Sequence, residues 1–181
     1  MKTFALLLCY KYMNTNTKLS SFAIILISMF LLAMQNSPRT KFPSLNAETL
    51  AGNKITLPDA VKGKKAFLVV AFERKAQSQA DDWYEVYAKQ FQAEGYVFYE
   101  LPMISSMWKW MSGFIDSGMR SGVPSYKHNN VATYYGPLDE YIKAFGVKDR
   151  SLVYVFTLNE QGEIVGRTSG GVEPGKIMQL K

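Results

Sequence analysis

Apolar residues in this chain form runs that short polar segments separate. The run "AFLVVAF" at residues 66–72 shows no alternation of apolar and polar positions and contains β-branched residues. Such a run is typical of a strand that is buried on both faces. Further runs of this kind occur at 96–102 ("YVFYELP") and at 151–158 ("SLVYVFTL"). These runs predict the central strands of a sheet.

Between the first two of these strands the apolar spacing becomes helical. Apolar side chains recur three or four residues apart, at Ala80, Trp83, Tyr84, Tyr87 and Phe91. Ser78, with Asp81 three residues later, predicts a capped helix start, and Gly95 predicts its end. Because a strand, helix and strand in one sheet connect with a right-handed crossover, we expect the two flanking strands to be parallel.

The remaining segments complete an α/β pattern. The turn "AGNK" separates two short extended pieces, and a glycine-interrupted helix is predicted at 103–122. A short strand at 131–136, a helix at 138–146 and a hairpin around "NEQGE" follow, and Pro174 predicts the start of a last helix. The predicted fold is therefore a central mixed sheet with helices on both faces and a C-terminal β-hairpin.

The N-terminal residues do not resemble a part of this domain. Phe22 to Met34 are 13 uncharged, mostly large apolar residues, and three lysines and no acid precede them. This pattern predicts a signal peptide, or a short signal anchor that holds the protein in the membrane through residues 20–35. We divide the chain into a leader at 1–35, a linker at 36–42 and a domain at 43–181. Both readings of the leader predict export to the periplasm, with the protein either released or tethered to the inner membrane.

Cysteine usage and charge narrow the function classes. Cys9, in the leader, is the single cysteine of the chain. The domain therefore has no thiol, no disulfide and no cysteine-bound metal. The leader lysines account for half of the net charge of +6, and so mild an excess does not favour nucleic-acid binding, which needs a clustered basic face.

Two segments resemble the redoxin form of the thioredoxin-like superfamily. They are "FPSLNAETLAGNKITLPDAVKGKKAFLVVAF", which is similar to the family's entry hairpin and first core strand, and "LVYVFTLNEQGEIVGRTSGG", which is similar to its closing hairpin. Within that superfamily, "ELPMISSMWKWMSGFIDSGMRSGVP" most resembles the mitochondrial ATPase assembly factors and their bacterial relatives. The resemblance implies a thioredoxin-like fold over the whole domain.

The departures from that family are as informative as the similarities. Redox-active members carry a Cys-x-x-Cys motif at the start of the first helix, where Gln77 and Ala80 stand here, and a proline before the third core strand, where "KDRSLVY" has none. The resemblance therefore implies a redox-inactive, non-enzymatic protein without a cofactor. It also implies a chaperone-like role in the assembly or stabilisation of a membrane complex, through contacts with a protein partner.

The segment 103–122 carries the candidate partner-binding residues, which are Met107, Trp108, Lys109, Met111, Met119 and Arg120. Methionines and tryptophans at helical spacing favour core packing, an adaptable partner groove, or a Cu(I) site in which Met103 and His128 take part. On a helix, Trp108 and Trp110 point in different directions, so we expect one of them to be exposed. A tryptophan next to Lys109 suits a protein or membrane-interface contact.

Arg120 lies between glycine-containing turns and is either an anchor for a carboxylate or a partner, or an ion-pair partner of Asp116 or another acid. Ser78 has no predicted base within reach, and we interpret it as a helix cap rather than a nucleophile. Glu73, Arg74 and Lys75 follow the first core strand, at the end where ligands bind in open sheets, but three consecutive charges are also typical of a solvated surface. The alternative function that remains is copper handling without cysteine, or a small enzyme of the thioredoxin class.

Overall fold

The structure is a computed structural model that describes residues 40–181. The leader at 1–35 and most of the predicted linker lie outside the described residues. The first strands are β1 (Leu45–Thr49) and β2 (Lys54–Leu57), followed by a 3-10 turn (Asp59–Val61) and β3 (Ala66–Ala71). Helix α1 (Gln77–Val86) continues into a π-helical segment (Tyr87–Phe91) and is followed by β4 (Val97–Ser105).

A 3-10 helix (Ser106–Met111) then leads into α2 (Ser112–Gly122). Strand β5 (Ala132–Gly136), α3 (Asp139–Ala144), the hairpin of β6 (Tyr154–Leu158) and β7 (Ile164–Ser169), and α4 (Pro174–Met178) complete the domain. Within residues 40–181 the strands form a seven-stranded sheet in the order β2-β1-β5-β4-β3-β6-β7. Strand β3 is parallel to β4 and antiparallel to β6, which confirms the predicted crossover.

The central strand β3 is buried along its whole length because helices cover both faces of the sheet. On one face, Phe67 and Val69 pack with Trp83 and Phe91 of the first helical segment. On the other face, the residues of β3 that alternate with these two pack with Phe42, Tyr141 and Phe145 and with the first hairpin. The alternation of side chains along a strand divides the core between the two faces, as the unbroken apolar run predicts.

The structure corrects two local predictions. Met103 belongs to β4, which extends to Ser105, and not to the helix predicted at 103–122. The strand extends because Met103 and Ile104 pair with β5, and this pairing outweighs the helical spacing of the methionines. Ser78 is the second residue of α1 and not its cap, since the turn Arg74–Ala76 precedes the helix and directs the Gln77 N–H to the carbonyl of Arg74.

Candidate functional site

A cavity of about 600 Å³ opens where β3 and β4 end, between the start of α1 and the inner side of α2. Its wall is mostly apolar and includes Phe72, Met103, Ile104, Phe114, Ile115, Met119 and Val123. Charged residues also line it, namely Glu73, Arg74, Asp81, Glu100 and Lys127. The carboxyl ends of parallel strands are the usual place for ligands in open α/β sheets. Glu73 and Arg74, for which the sequence left ligand binding and solvation open, line this cavity.

Glu100 lies at the buried end of this cavity. It belongs to β4, beside Val69 of β3, and only 6% of its surface is exposed. Its Oε1 atom accepts a hydrogen bond of 3.1 Å from Nε2 of Gln77, the first residue of α1. The same amide donates a hydrogen bond of 3.3 Å to Oδ1 of Asp81. One side-chain amide therefore bridges two carboxyl groups.

The surroundings of Glu100 favour its neutral form. Burial raises the pKa of the Glu100 carboxyl, and the nearby Asp81 also raises it, while the hydrogen bond from Gln77 and the charge of Lys127 lower it. Lys127 Nζ lies 3.5 Å from the centre of the Tyr84 ring, and no ion pair joins it to Glu100. Burial therefore destabilises the charged carboxylate, and the residues around it offset this effect only in part.

Glu100 was not among the predicted site residues, although the sequence contains a signal for it. It is the single charged residue of the run "YVFYELP", which was identified as a strand buried on both faces. A carboxylate in such a strand is rarely found without a partner or a function. Its position in an apolar run could therefore have identified it as a site residue.

The segment Ser106–Gly122 and the turn that follows it expose a row of large apolar side chains. They are Met107, Trp108, Trp110, Phe114 and Tyr126. We call this row the apolar face. Trp108 and Trp110 are 46% and 80% exposed, so both tryptophans reach solvent where one was expected. Isolated exposed apolar residues are ordinary, but five within residues 107–126 are a concentration that favours an interaction surface.

The structure places the six predicted partner-binding residues in two environments. Met107, Trp108, Lys109 and Arg120 are exposed, while Met111 and Met119 are half-buried. Met119 lines the large cavity, and Trp108 lines a smaller cavity of about 290 Å³ that shares Phe72 and Met103 with it. The predicted residues therefore lie along one segment, and two of them line cavities that the sequence did not predict.

None of the residues of α2 is fully buried, and polar contacts hold this helix against the rest of the domain. The Tyr135 hydroxyl of β5 donates a hydrogen bond of 2.8 Å to Oδ1 of Asp116, and burial and this contact raise the pKa of Tyr135. Arg120 Nε donates to the Leu50 carbonyl at 2.8 Å. No ion pair joins Arg120 to Asp116, so the guanidinium is held by backbone instead. Its predicted role as an anchor for a partner remains a prediction.

The methionines do not form the helical stripe that suggested a Cu(I) site. Met103 is 1% exposed within β4, whereas Met107 is 69% exposed on the 3-10 helix. Nε2 of His128 lies 2.9 Å from the Val123 carbonyl oxygen, which occupies one of its two ring nitrogens. Among residues 40–181 no group of three His, Cys, Asp or Glu side chains could hold a metal ion. In the same part of the chain no helix is long and apolar enough to cross a membrane.

No family model and no curated protein matches the sequence. Solved structures do match the fold. The exposed lipoprotein thioredoxin of Streptococcus pneumoniae has a TM-score of 0.50 at 19% identity, over 76% of this chain and 96% of that one. The thioredoxin domain of a thiol-disulfide oxidoreductase from Bacteroides vulgatus has a TM-score of 0.50 at 14% identity, over 75% and 90%.

A DsbF homologue from Corynebacterium diphtheriae also has a TM-score of 0.50, at 15% identity, over 80% of this chain and 87% of that one. Together with the mixed sheet and its two layers of helices, these likenesses confirm the predicted thioredoxin-like fold. At such low identities they show the fold alone.

Proposed function

We propose that this chain is a redox-inactive, exported thioredoxin-like protein that acts through contacts with a protein partner, in the assembly or stabilisation of a membrane complex. The observation that carries the proposal is the apolar face beside a cavity at the carboxyl edge of the sheet. A fold of this kind usually places its reactive thiols at the start of α1. Here that place is taken by Gln77, whose amide hydrogen-bonds two carboxyl groups.

The absence of cysteine from residues 10–181 supports a redox-inactive role. Thiol-disulfide exchange needs a thiolate, and the single cysteine, Cys9, is in the leader. The environment at the start of α1 is also unsuited to a thiolate, because Asp81 and Glu100 both face Gln77. We expect the purified protein to fail to reduce a disulfide substrate in the presence of a dithiol. Measurable turnover in this assay would contradict the proposal.

The composition of the apolar face supports a protein partner. Tryptophan, tyrosine, phenylalanine and methionine are enriched at the centres of protein interfaces. Lys109 and Arg120 lie on the same segment and supply a polar rim. The motif resemblance of this segment to the mitochondrial ATPase assembly factors supports a membrane complex as the partner. The apolar leader supports export, and so does the similarity in fold to the pneumococcal protein, which is named an exposed lipoprotein.

Crosslinking in intact membranes tests the partner. A photo-crosslinker at Lys109 should capture a discrete protein, and Met107→Ser should reduce its yield severalfold because it removes an exposed apolar contact. Met178→Ser is the matched control, since Met178 lies on α4, outside the apolar face, and is 73% exposed against 69% for Met107. Equal yields from the two variants would contradict the proposed face. Stoichiometric recovery of the partner would indicate a permanent subunit, and recovery only during assembly would indicate a chaperone.

A further inference from the structure

The end of the large cavity beside Glu100 has two carboxyl groups, of which Glu100 is buried and Asp81 is exposed, and one shared donor. Gln77 Nε2 donates to Glu100 Oε1 and to Asp81 Oδ1. No hydrogen bond to the second oxygen of Glu100, Oε2, is found within residues 40–181. An amide can hold two carboxyl groups near one another, but it carries no charge to balance them. This end of the cavity therefore has an excess of acceptors.

The cations on the cavity wall neutralise this end only in part. Lys127 lies over the Tyr84 ring, and Arg74 is exposed to solvent. Neither makes an ion pair with Glu100 or Asp81 among the described residues, whereas Glu73 is paired with Lys75 at 3.0 Å. A positive charge placed beside Glu100 would offset the desolvation that raises the pKa of this carboxyl group.

The rest of the cavity favours an apolar ligand body. Phe72, Met103, Ile115 and Met119 contribute apolar side chains to its wall. A volume of about 600 Å³ is within the range of pockets that hold small molecules. Such pockets commonly combine an apolar lining with a few polar groups that fix the ligand's orientation. Here Glu100 and Asp81 place two acceptor groups together at one end of the cavity.

We propose that this cavity binds a primary ammonium group carried on an apolar body, with the ammonium against Glu100 and Asp81 and the body along the apolar wall. A primary ammonium has three donors and no acceptor, so it matches this end of the cavity. The ammonium belongs either to a free alkylamine or to a lysine side chain of a protein partner. In the second case the inference rests on the protein-binding function proposed above.

A calorimetric titration of the full chain in a non-ionic detergent tests the ligand chemistry. The probes are hexylammonium, hexan-1-ol and hexanoate, which share one apolar body and differ in the head group. We expect hexylammonium to bind at least tenfold more tightly than hexan-1-ol, and hexanoate more weakly than both. Equal affinities for the three probes, or the tightest binding by hexanoate, would overturn the proposal. This titration needs no partner, so its failure is separate from a failure of the crosslinking experiment.

Substitutions of the acidic residues test where in the cavity the ammonium group binds. Glu100→Gln should reduce the affinity for hexylammonium about tenfold and leave the affinity for hexan-1-ol unchanged. Asp82→Asn is the matched control, because Asp82 is an exposed acid on α1 that does not line the cavity. If Glu100→Gln does not fold, Asp81→Asn provides the same test at an exposed position and should weaken hexylammonium binding severalfold. Unchanged affinity in the folded variants would overturn the proposal.

A pair of peptides distinguishes the two sources of the ammonium group. One is a capped pentapeptide with a central lysine among apolar residues, and the other carries norleucine at that position. Tighter binding by the lysine peptide than by hexylammonium would assign the cavity to a partner's side chain. Binding of hexylammonium without binding of the lysine peptide would assign it to a free amine. If neither hexylammonium nor the lysine peptide binds, the inference is contradicted.

Discussion

The polar attachment of α2 gives a prediction that can be resolved residue by residue. Tyr135→Phe removes the hydroxyl that donates to Asp116 at 2.8 Å and leaves the ring in place. A hydrogen bond to a charged group contributes about 1.5–3 kcal/mol to stability. Tyr135 and Asp116 are only half-buried, so we take a value near the lower end, about 1–2 kcal/mol.

This loss should fall on α2 and not on the whole domain. Because α2 has no fully buried residue, its opening need not disrupt the core around β3. Native-state hydrogen exchange measures such local openings directly. Since 1–2 kcal/mol corresponds to roughly a 5- to 30-fold change in an equilibrium constant, the amides of α2 should exchange about 5 to 30 times faster in the variant. The amides of β3 should exchange at unchanged rates.

The control for this experiment is Tyr126→Phe. Tyr126 is 69% exposed, and its hydroxyl makes no hydrogen bond within the described residues, so exchange in α2 should not change. The reasoning is refuted if α2 is as protected in Tyr135→Phe as in the parent chain. It is also refuted if all amides accelerate equally, because Tyr135 would then support the global fold. A loosened α2 should also lower the crosslinking yield, since it carries part of the apolar face.

Three further predictions concern stability and are measured by urea unfolding followed by circular dichroism. Burial raises the pKa of Glu100 above the ordinary 4.5, so the folded state retains a proton that the unfolded state releases, and stability falls as the pH rises above 4.5. Glu100→Gln should therefore gain stability relative to the parent as the pH rises, and parallel pH profiles would contradict this. Gly166→Ala should cost about 2–5 kcal/mol, because its Cβ would lie 2.7 Å from Cα of Leu180 and displace that fully buried leucine. A loss below 0.5 kcal/mol would show that the C-terminal segment shifts freely. Trp83→Phe should cost about 2–4 kcal/mol, because it removes the indole donor to the Gly170 carbonyl at 2.8 Å and leaves a cavity in the core. An unchanged midpoint would show that this contact contributes nothing.

The fold could be predicted from the sequence because the strongest signals came from buried strands. The unbroken runs that contain Phe67, Leu101 and Val155 identified the central strands, and the spacing of Trp83 and Phe91 identified the helix between two of them. The errors arose where two local signals competed. At Met103 the helical spacing of methionines was outweighed by pairing between β4 and β5, which depends on residues far apart in the sequence.

The candidate site was predicted only in part, for a related reason. The segment that carries Met107 and Trp108 was identified from its own residue types, without knowledge of distant contacts. The cavity, in contrast, arises from the meeting of α1, β4 and α2. The contact between Gln77 and Glu100, which are 23 residues apart, depends on the crossover between two strands and cannot be derived from either residue alone.

The three tryptophans of the chain divide between the core and the apolar face. Trp83 is fully buried, and Trp108 and Trp110 are exposed on the 3-10 helix before α2. A soluble quencher can reach the indoles of the apolar face in the folded protein, but it cannot reach Trp83. Within residues 40–181, the quenchable fluorescence therefore comes from the apolar face. Occupation of that face should shield these two indoles and shift their emission to the blue, while the emission of Trp83 stays constant. The protein thus carries an intrinsic optical reporter of its own binding surface, and a partner can be detected without a label.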